Sequence, residues 1–286
     1  MVAAIPLFGA FVLGLGTRRW LQQHITVLFR LQLAAGIGVL SVLAGWSFDL
    51  SLRNVAAIAV LLAAQLTSVT VAARLFRGRT DGAALAFWMF GNPTFWTAPL
   101  AAATLGAEAA VFVIAYDMLT QGRIALGVRY MRAHAPRSQS ARTALADYAP
   151  TIGAMSGLLV GLVLPAPDFV DGVVAGLGIA MGVVGFLLLG VSWPRRRWTG
   201  VPQVAMTGRA LALHLTLVPA LLGLATLAGI DLPGAIWLLA LGPIPTSVVS
   251  FAQVYGYSPR TAATGLAVSI GAAIALLPLS LTLAGA

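Results

Sequence analysis

The chain has 286 residues, 59% of them hydrophobic and only 9% charged, and its mean hydropathy is +0.94. A soluble domain carries about 25% charged residues and cannot hide this much apolar surface in one core, so the composition excludes one and makes lipid the expected solvent. The net charge is +9 and all 17 basic residues are Arg, a balance that on a soluble protein would suggest nucleic acid.

Cysteine is absent, which removes disulfide frameworks, thiolate metal sites and cysteine nucleophiles. Apolar sequence begins directly after Met1 and the first positive charges are Arg18 and Arg19, the reverse of a secretory signal. The first 16 residues therefore read as a retained span. A span needs about 20 apolar residues to cross some 30 Å of hydrocarbon. The chain supplies ten, at 1–17, 24–45, 53–74, 82–104, 108–129, 148–165, 170–192, 205–228, 234–255 and 260–283.

The arginines then sort by loop parity. The odd-numbered connections hold 15 of the 17: Arg18 and Arg19; Arg74, Arg77 and Arg79; Arg123, Arg129, Arg132, Arg137 and Arg142; Arg195, Arg196, Arg197 and Arg209; and Arg260. The even-numbered connections hold Asp49, Glu108, Asp168, Asp171 and Asp231 against Arg53 alone. The positive-inside rule places the odd connections in the cytoplasm and both termini outside, in a multi-pass protein of the cytoplasmic membrane. The basic surplus is thus a topological signal, and no nucleic acid is expected as partner. Arg30, about two turns into span two, is expected to snorkel to the cytoplasmic surface.

The most polar stretch, within Arg129 to Asp147, divides the chain into residues 1–130, a cytoplasmic linker at 131–147, and residues 148–286. Each half has five spans, and an odd number forces the second half to enter the membrane with opposite orientation. The expected fold is all-α, with two inverted five-helix repeats. Spans four and nine carry matching proline pairs, Pro93 with Pro99 and Pro243 with Pro245. Pro93 precedes Gly106 by the same 13 residues that separate Pro243 from Gly256. Proline removes a backbone donor and clashes with the preceding turn, so both spans are expected to break at mid-membrane, exposing backbone groups for a ligand. The expected substrate contacts are Asn92, Pro93, Thr94, Pro99, Pro243, Pro245, Thr246 and Ser247.

At these residues the chain resembles the auxin efflux carrier family of permeases, within the bile-acid and arsenite transporter superfamily. The likeness rests on Asn92-Pro93-Thr94-Phe95-Trp96-Thr97-Ala98-Pro99-Leu100, on Ala115-Tyr116-Asp117 with Gln121, and on Pro243 through Tyr255-Gly256. Thr94 and Thr97 stand where the family usually has glycine, and Ser247 where it has asparagine. The resemblance implies that spans four and nine cross at mid-membrane. It also implies a transport domain of spans three to five and eight to ten moving against a scaffold of spans one, two, six and seven, often dimeric. The substrate class so implied is a small organic anion, such as a carboxylate or auxin-like acid, with no cofactor. Proton or sodium coupling is left open.

Polar groups at membrane depth are few. Asp117 is the mid-depth carboxylate, suited to a proton or cation, or to supporting the crossing with Asn92 and Gln121. His214 in span eight suits a proton step or a helix–helix hydrogen bond. Gln65, Thr67, Ser68 and Thr70 make span three polar at its middle, where they line a cavity or join helices. Gly153, Gly157 and Gly161 in span six, and Gly172 with Gly176 and Gly178 with Gly182 in span seven, permit close packing within the scaffold or across a homodimer. Trp20, Trp46, Trp193 and Trp198 read as interfacial anchors. No HExxH or GxSxG is present and no metal site is expected, which disfavours an enzyme. The alternatives are a transport-inactive relative acting as receptor or assembly partner, and a cation/proton antiporter of similar fold.

Overall fold

The computed structural model describes residues 4–75, 95–120, 149–194, 201–244, 248–249 and 259–285. Expectations placed on Asn92, Pro93, Thr94, Gln121, Pro245, Thr246, Ser247 and the 131–147 linker lie outside the described residues. Among those described, all regular structure is helical. The helical stretches long and apolar enough to cross a membrane are Pro6–Ser47, Leu52–Ala72, Phe169–Ser192, Gly208–Leu227 and Arg260–Ala284, so the chain is compatible with a multi-pass membrane protein.

The first stretch contains α1 (Ala4–Leu21), α2 (Ile25–Leu31) and α3 (Gly38–Ser47), joined by a 3₁₀ turn at Gln22–His24 and a π-helical segment at Gln32–Ile37. It doubles back on itself. Later in the chain, Gly36 abuts the Met181 side chain and Gln32 Nε2 donates to the Met181 carbonyl at 3.4 Å, while the next residue, Gly182, faces Leu7. On one continuous helix Leu7 and Gly36 would lie about 43 Å apart at 1.5 Å per residue. The chain therefore reverses near Gln22–His24, a few residues past Arg18 and Arg19. Arg18 holds the corner: its Nε donates to Gln22 Oε1 at 2.9 Å and its Nη1 to the Trp193 carbonyl.

The remaining helices are α4 (Leu52–Leu75), α5 (Thr97–Thr104), α6 (Ala107–Leu119), α7 (Ala149–Gly161), α8 (Phe169–Ser192), α9 (Val201–Leu227), α10 (Ala235–Ala240) and α11 (Pro259–Ala284). With 24 to 27 residues, α4, α8, α9 and α11 are about 36–40 Å long. Tight turns end α5 and α9 where glycine supplies a left-handed residue, Gly106 at φ 98° and Gly229 at φ 86°. The Gly106 N–H bonds back to the Ala101 carbonyl at 3.1 Å, which lets α6 begin at once alongside α5.

Two helix pairs make the most extensive contacts, α3 with α7 and α1 with α8. Both are glycine-mediated and both run parallel. Gly153 lies against Gly38, Gly157 against Val42 and Gly161 against Trp46; a methyl group on Gly153 would sit 2.6 Å from the Gly38 carbonyl oxygen. In the other pair Gly14 and Gly190 meet backbone to backbone. The span-six glycines thus pack within the chain. Gly172 and Gly176 differ, with open space where a side chain would go, so the close packing expected there is not made inside this chain. Helix α4 packs on α9, α5 on α6, and α10 on α11.

One end of the bundle gathers Ser47 to Asn54, Leu105 to Glu108, Asp168, Asp171, Pro233 to Ala235 and Ala284 around two adjoining cavities. The carboxylates Asp49, Glu108, Asp168 and Asp171 lie there. Large apolar side chains such as Phe8, Leu52, Val163 and Leu227 are exposed on the outside, while Gln65, Ser68, Thr97, Asp117 and His214 are buried. An apolar exterior around a partly polar interior is the arrangement lipid requires.

Candidate functional site at two helix breaks

Pro99 sits in the first turn of α5, the third residue of a helix that begins at Thr97. Proline is tolerated there because an N–H in the first turn has no intrahelical acceptor. Span nine is interrupted around Pro243: α10 ends at Ala240 and residues 241–244 are non-helical, while residues 248–249 are helical. These two ends meet. A methyl group on Gly242 would lie 3.1 Å from Thr97 Oγ1 and 2.8 Å from the Leu238 carbonyl oxygen, so only glycine fits the crossing point.

The break leaves backbone groups to satisfy, and α11 satisfies one. The Ile244 N–H donates to Ser269 Oγ at 3.2 Å, and Ser269 Oγ donates to the Leu266 carbonyl at 2.8 Å. Because Pro243 and Pro245 have no N–H, Ile244 is the one backbone donor of that tripeptide. Ser269 is 1% exposed, so water does not replace it. Sequence reasoning passed over Ser269. The available signal was a serine near the middle of an apolar final span.

Thr97 is fully buried and its hydroxyl has no hydrogen-bond partner. Such an orphan costs about 1–3 kcal/mol. Trp96, the N-cap of α5, supplies no side-chain cap and packs partly buried against the core.

Around this point a buried polar layer ties helices together. Tyr116 Oη donates to Gln65 Oε1 at 2.6 Å, joining α6 to α4. Ser68 Oγ and His214 Nδ1 lie 3.5 Å apart, joining α4 to α9. Gln65 and His214 thus act as helix–helix partners, the plainer of their two expected roles. Thr67 and Thr70 are exposed and bond back to the Ala63 and Leu66 carbonyls, so they do not belong to the layer. Asp117 is fully buried and engaged, near the C-terminal end of α6. It stands ten residues into α6, and Ser269 stands ten residues into α11. Arg30 is only half-buried, yet its Nε is buried without a hydrogen-bond partner, which falls short of complete snorkelling.

Two cavities lie at the end of the bundle that gathers Asp49, Glu108, Asp168 and Asp171. One cavity of about 440 Å³ is lined by Asp49, Glu108, Asp171, Arg53, Phe48 and Phe112 among others, and a second of about 460 Å³ shares Asp49 and Asp171 and adds Asp168. Asp49 is spent on its own turn, accepting from the Ser51 N–H at 3.1 Å and Asn54 Nδ2 at 3.3 Å. Arg53 Nε pairs with Asp231 Oδ2 at 2.9 Å, but both side chains are more than half exposed, so the pair contributes about 0–1 kcal/mol. Among the described residues no three His, Asp or Glu side chains converge as a metal site. Trp46 Nε1 donates to the Leu164 carbonyl at 2.7 Å, and the Trp193 ring stacks edge-on to Phe11 at 5.3 Å. No known family matches the chain, and no curated protein matches it.

Proposed function

We propose that the chain is a secondary transporter that carries a small organic anion, such as a carboxylate or auxin-like acid, across the cytoplasmic membrane by elevator-type alternating access. The observation that carries the reading is the meeting of the α5 start with the span-nine break, at Thr97 and Gly242, inside an apolar bundle. Paired broken helices at the membrane centre are a transporter's substrate site, and a half-helix amino terminus suits an anion. Asn92 and Pro243 are the residues assigned to the ligand, with Pro99 shaping the α5 start.

The ten-span inverted repeat belongs to this proposal. Exchange of spans one and six, and of two and seven, turns the α1–α8 pair into the α3–α7 pair. The same exchange relates α5–α6 to α10–α11 and maps α4–α9 onto itself. The parallel direction of α3 and α7 fits three passes between them. On this reading spans one, two, six and seven form the scaffold, both termini face outside, and membership of the auxin efflux carrier family follows. Any homodimer would use the scaffold helices. A second reading, a cation/proton exchanger, is favoured by the carboxylates Glu108 and Asp171 facing the 440 Å³ cavity.

The test is uptake by purified protein in liposomes of labelled acetate, benzoate, succinate and indole-3-acetate, at two pH values, with and without sodium. The account expects saturable uptake of at least one acid, lost in Asn92→Ala and Pro243→Ala and kept in Trp46→Phe. Uptake unchanged by Asn92→Ala overturns the site. Cation exchange without uptake of any acid establishes the second reading instead.

A further inference from the structure

Polar groups around the two breaks can be accounted for one by one. The Ile244 N–H is taken by Ser269, the Gln65 amide oxygen by Tyr116, and the His214 ring by Ser68. Threonines inside the helices bond back one turn, as Thr104 does to the Leu100 carbonyl at 2.9 Å and Thr264 to the Arg260 carbonyl at 2.9 Å. Thr97, the first residue of α5, makes no such bond. Its hydroxyl is one of two buried side-chain polar atoms without a partner among the described residues, the other being Arg30 Nε far away in α2.

The orphan is not loosely placed. Thr97 is fully buried, on a helix whose N-cap offers no side-chain acceptor, and its hydroxyl faces Gly242, a residue without a side chain. Backbone at the span-nine break is therefore what covers it. Thr97 opens α5, and the partial positive charge at a helix amino terminus favours an oxyanion. A buried donor with an uncapped helix start, beneath a segment that alternating access must move, has the form of a ligand contact waiting for its acceptor.

We propose that Thr97 Oγ1, with the amino terminus of α5, receives an oxygen of the ligand's anionic group and makes the site prefer a carboxylate over its neutral amide. This rests on the transport reading, and it assigns the anionic end of the ligand to α5 rather than α10. The sequence resemblance offers no counterpart, since it leads one to expect glycine at this position.

Thr97→Val keeps the shape and removes only the hydroxyl; Thr97→Ser keeps the hydroxyl. The probes are whichever acid of the panel above wild type transports, and its primary amide as competitor. Thr97→Val is expected to raise the KM for the acid about tenfold, to lose most of the preference for acid over amide, and to leave thermal stability in detergent without ligand equal or higher. Thr97→Ser is expected to restore affinity and preference. Equal KM and equal preference in wild type and Thr97→Val overturn the proposal while the transport reading stands. A Thr97→Val protein less stable than wild type without ligand also overturns it, because the hydroxyl then has a partner within the fold. Absence of uptake of every panel acid by wild type overturns the proposal and the transport reading together.

Discussion

Replacing Ser269 by Ala removes the acceptor of the Ile244 N–H and leaves that amide buried between two prolines. The bond is 3.2 Å long and buried, Ser269 is 1% exposed, and the prolines on either side of Ile244 carry no N–H of their own. An amide orphaned in this way costs about 1–3 kcal/mol. For a chain of this length that corresponds to about 2–5 °C in the unfolding midpoint. The loss falls on the break, so a second effect follows: the Gly242–Ile244 segment is no longer held against α11 and the site it forms loosens. The assay is thermal unfolding of detergent-purified protein followed by intrinsic tryptophan fluorescence, with Ser269→Thr as the variant that keeps the hydroxyl. A midpoint lowered in Ser269→Ala and restored in Ser269→Thr is expected. Equal midpoints for wild type and Ser269→Ala would refute the reasoning, because Ser269 would then not be holding the break.

Other consequences follow from the same packing. Gly157→Val drives a side chain into the Val42 carbonyl and Trp46 amide, so monodisperse protein should be lost on size-exclusion chromatography, while Gly172→Ala, facing open space, should behave as wild type. Tyr116→Phe and Gln65→Leu should each destabilise by about 1–2 kcal/mol and the double variant by less than the sum, with a coupling of at least 0.5 kcal/mol by chemical unfolding. The absence of cysteine permits direct mapping of sides with a membrane-impermeant maleimide. Single cysteines at Asp49 and Asp231 should label in intact cells and those at Arg74 and Arg260 only after lysis; the reverse pattern would invert the topology.

How much of this was legible beforehand depended on how local the physics was. Pro243 could be read as a break because proline acts on its own turn, wherever the chain later folds, whereas Pro99 sits inside the first turn of α5. Arg18 and Arg19 marked the first reversal for the same kind of reason, since charge must leave the hydrocarbon within its own turn of helix. Spacing alone identified Gly153, Gly157 and Gly161 as a packing face but not α3 as its partner. The same spacing at Gly172 and Gly176 meets no neighbour within this chain, because a small-residue face is identical in sequence whether or not a helix of the same chain lies against it. Partners that join distant segments were beyond reach: Ser269 with Ile244, Tyr116 with Gln65, and Ser68 with His214 each depend on which helix comes to lie beside which. The π-helical turn at Gln32–Ile37 carries no proline or other breaker to announce it; it coincides with the place where Gly36 and Gln32 fit against Met181.

Alternating access at the α5 start and the Pro243 break would produce counterflow. Liposomes bearing the protein are loaded with an excess of the unlabelled acid that wild type transports and diluted into trace labelled acid. A carrier should concentrate the label transiently above its equilibrium level, with that overshoot lost in Pro243→Ala. Equilibration without overshoot, or an overshoot that survives Pro243→Ala unchanged, would contradict the account.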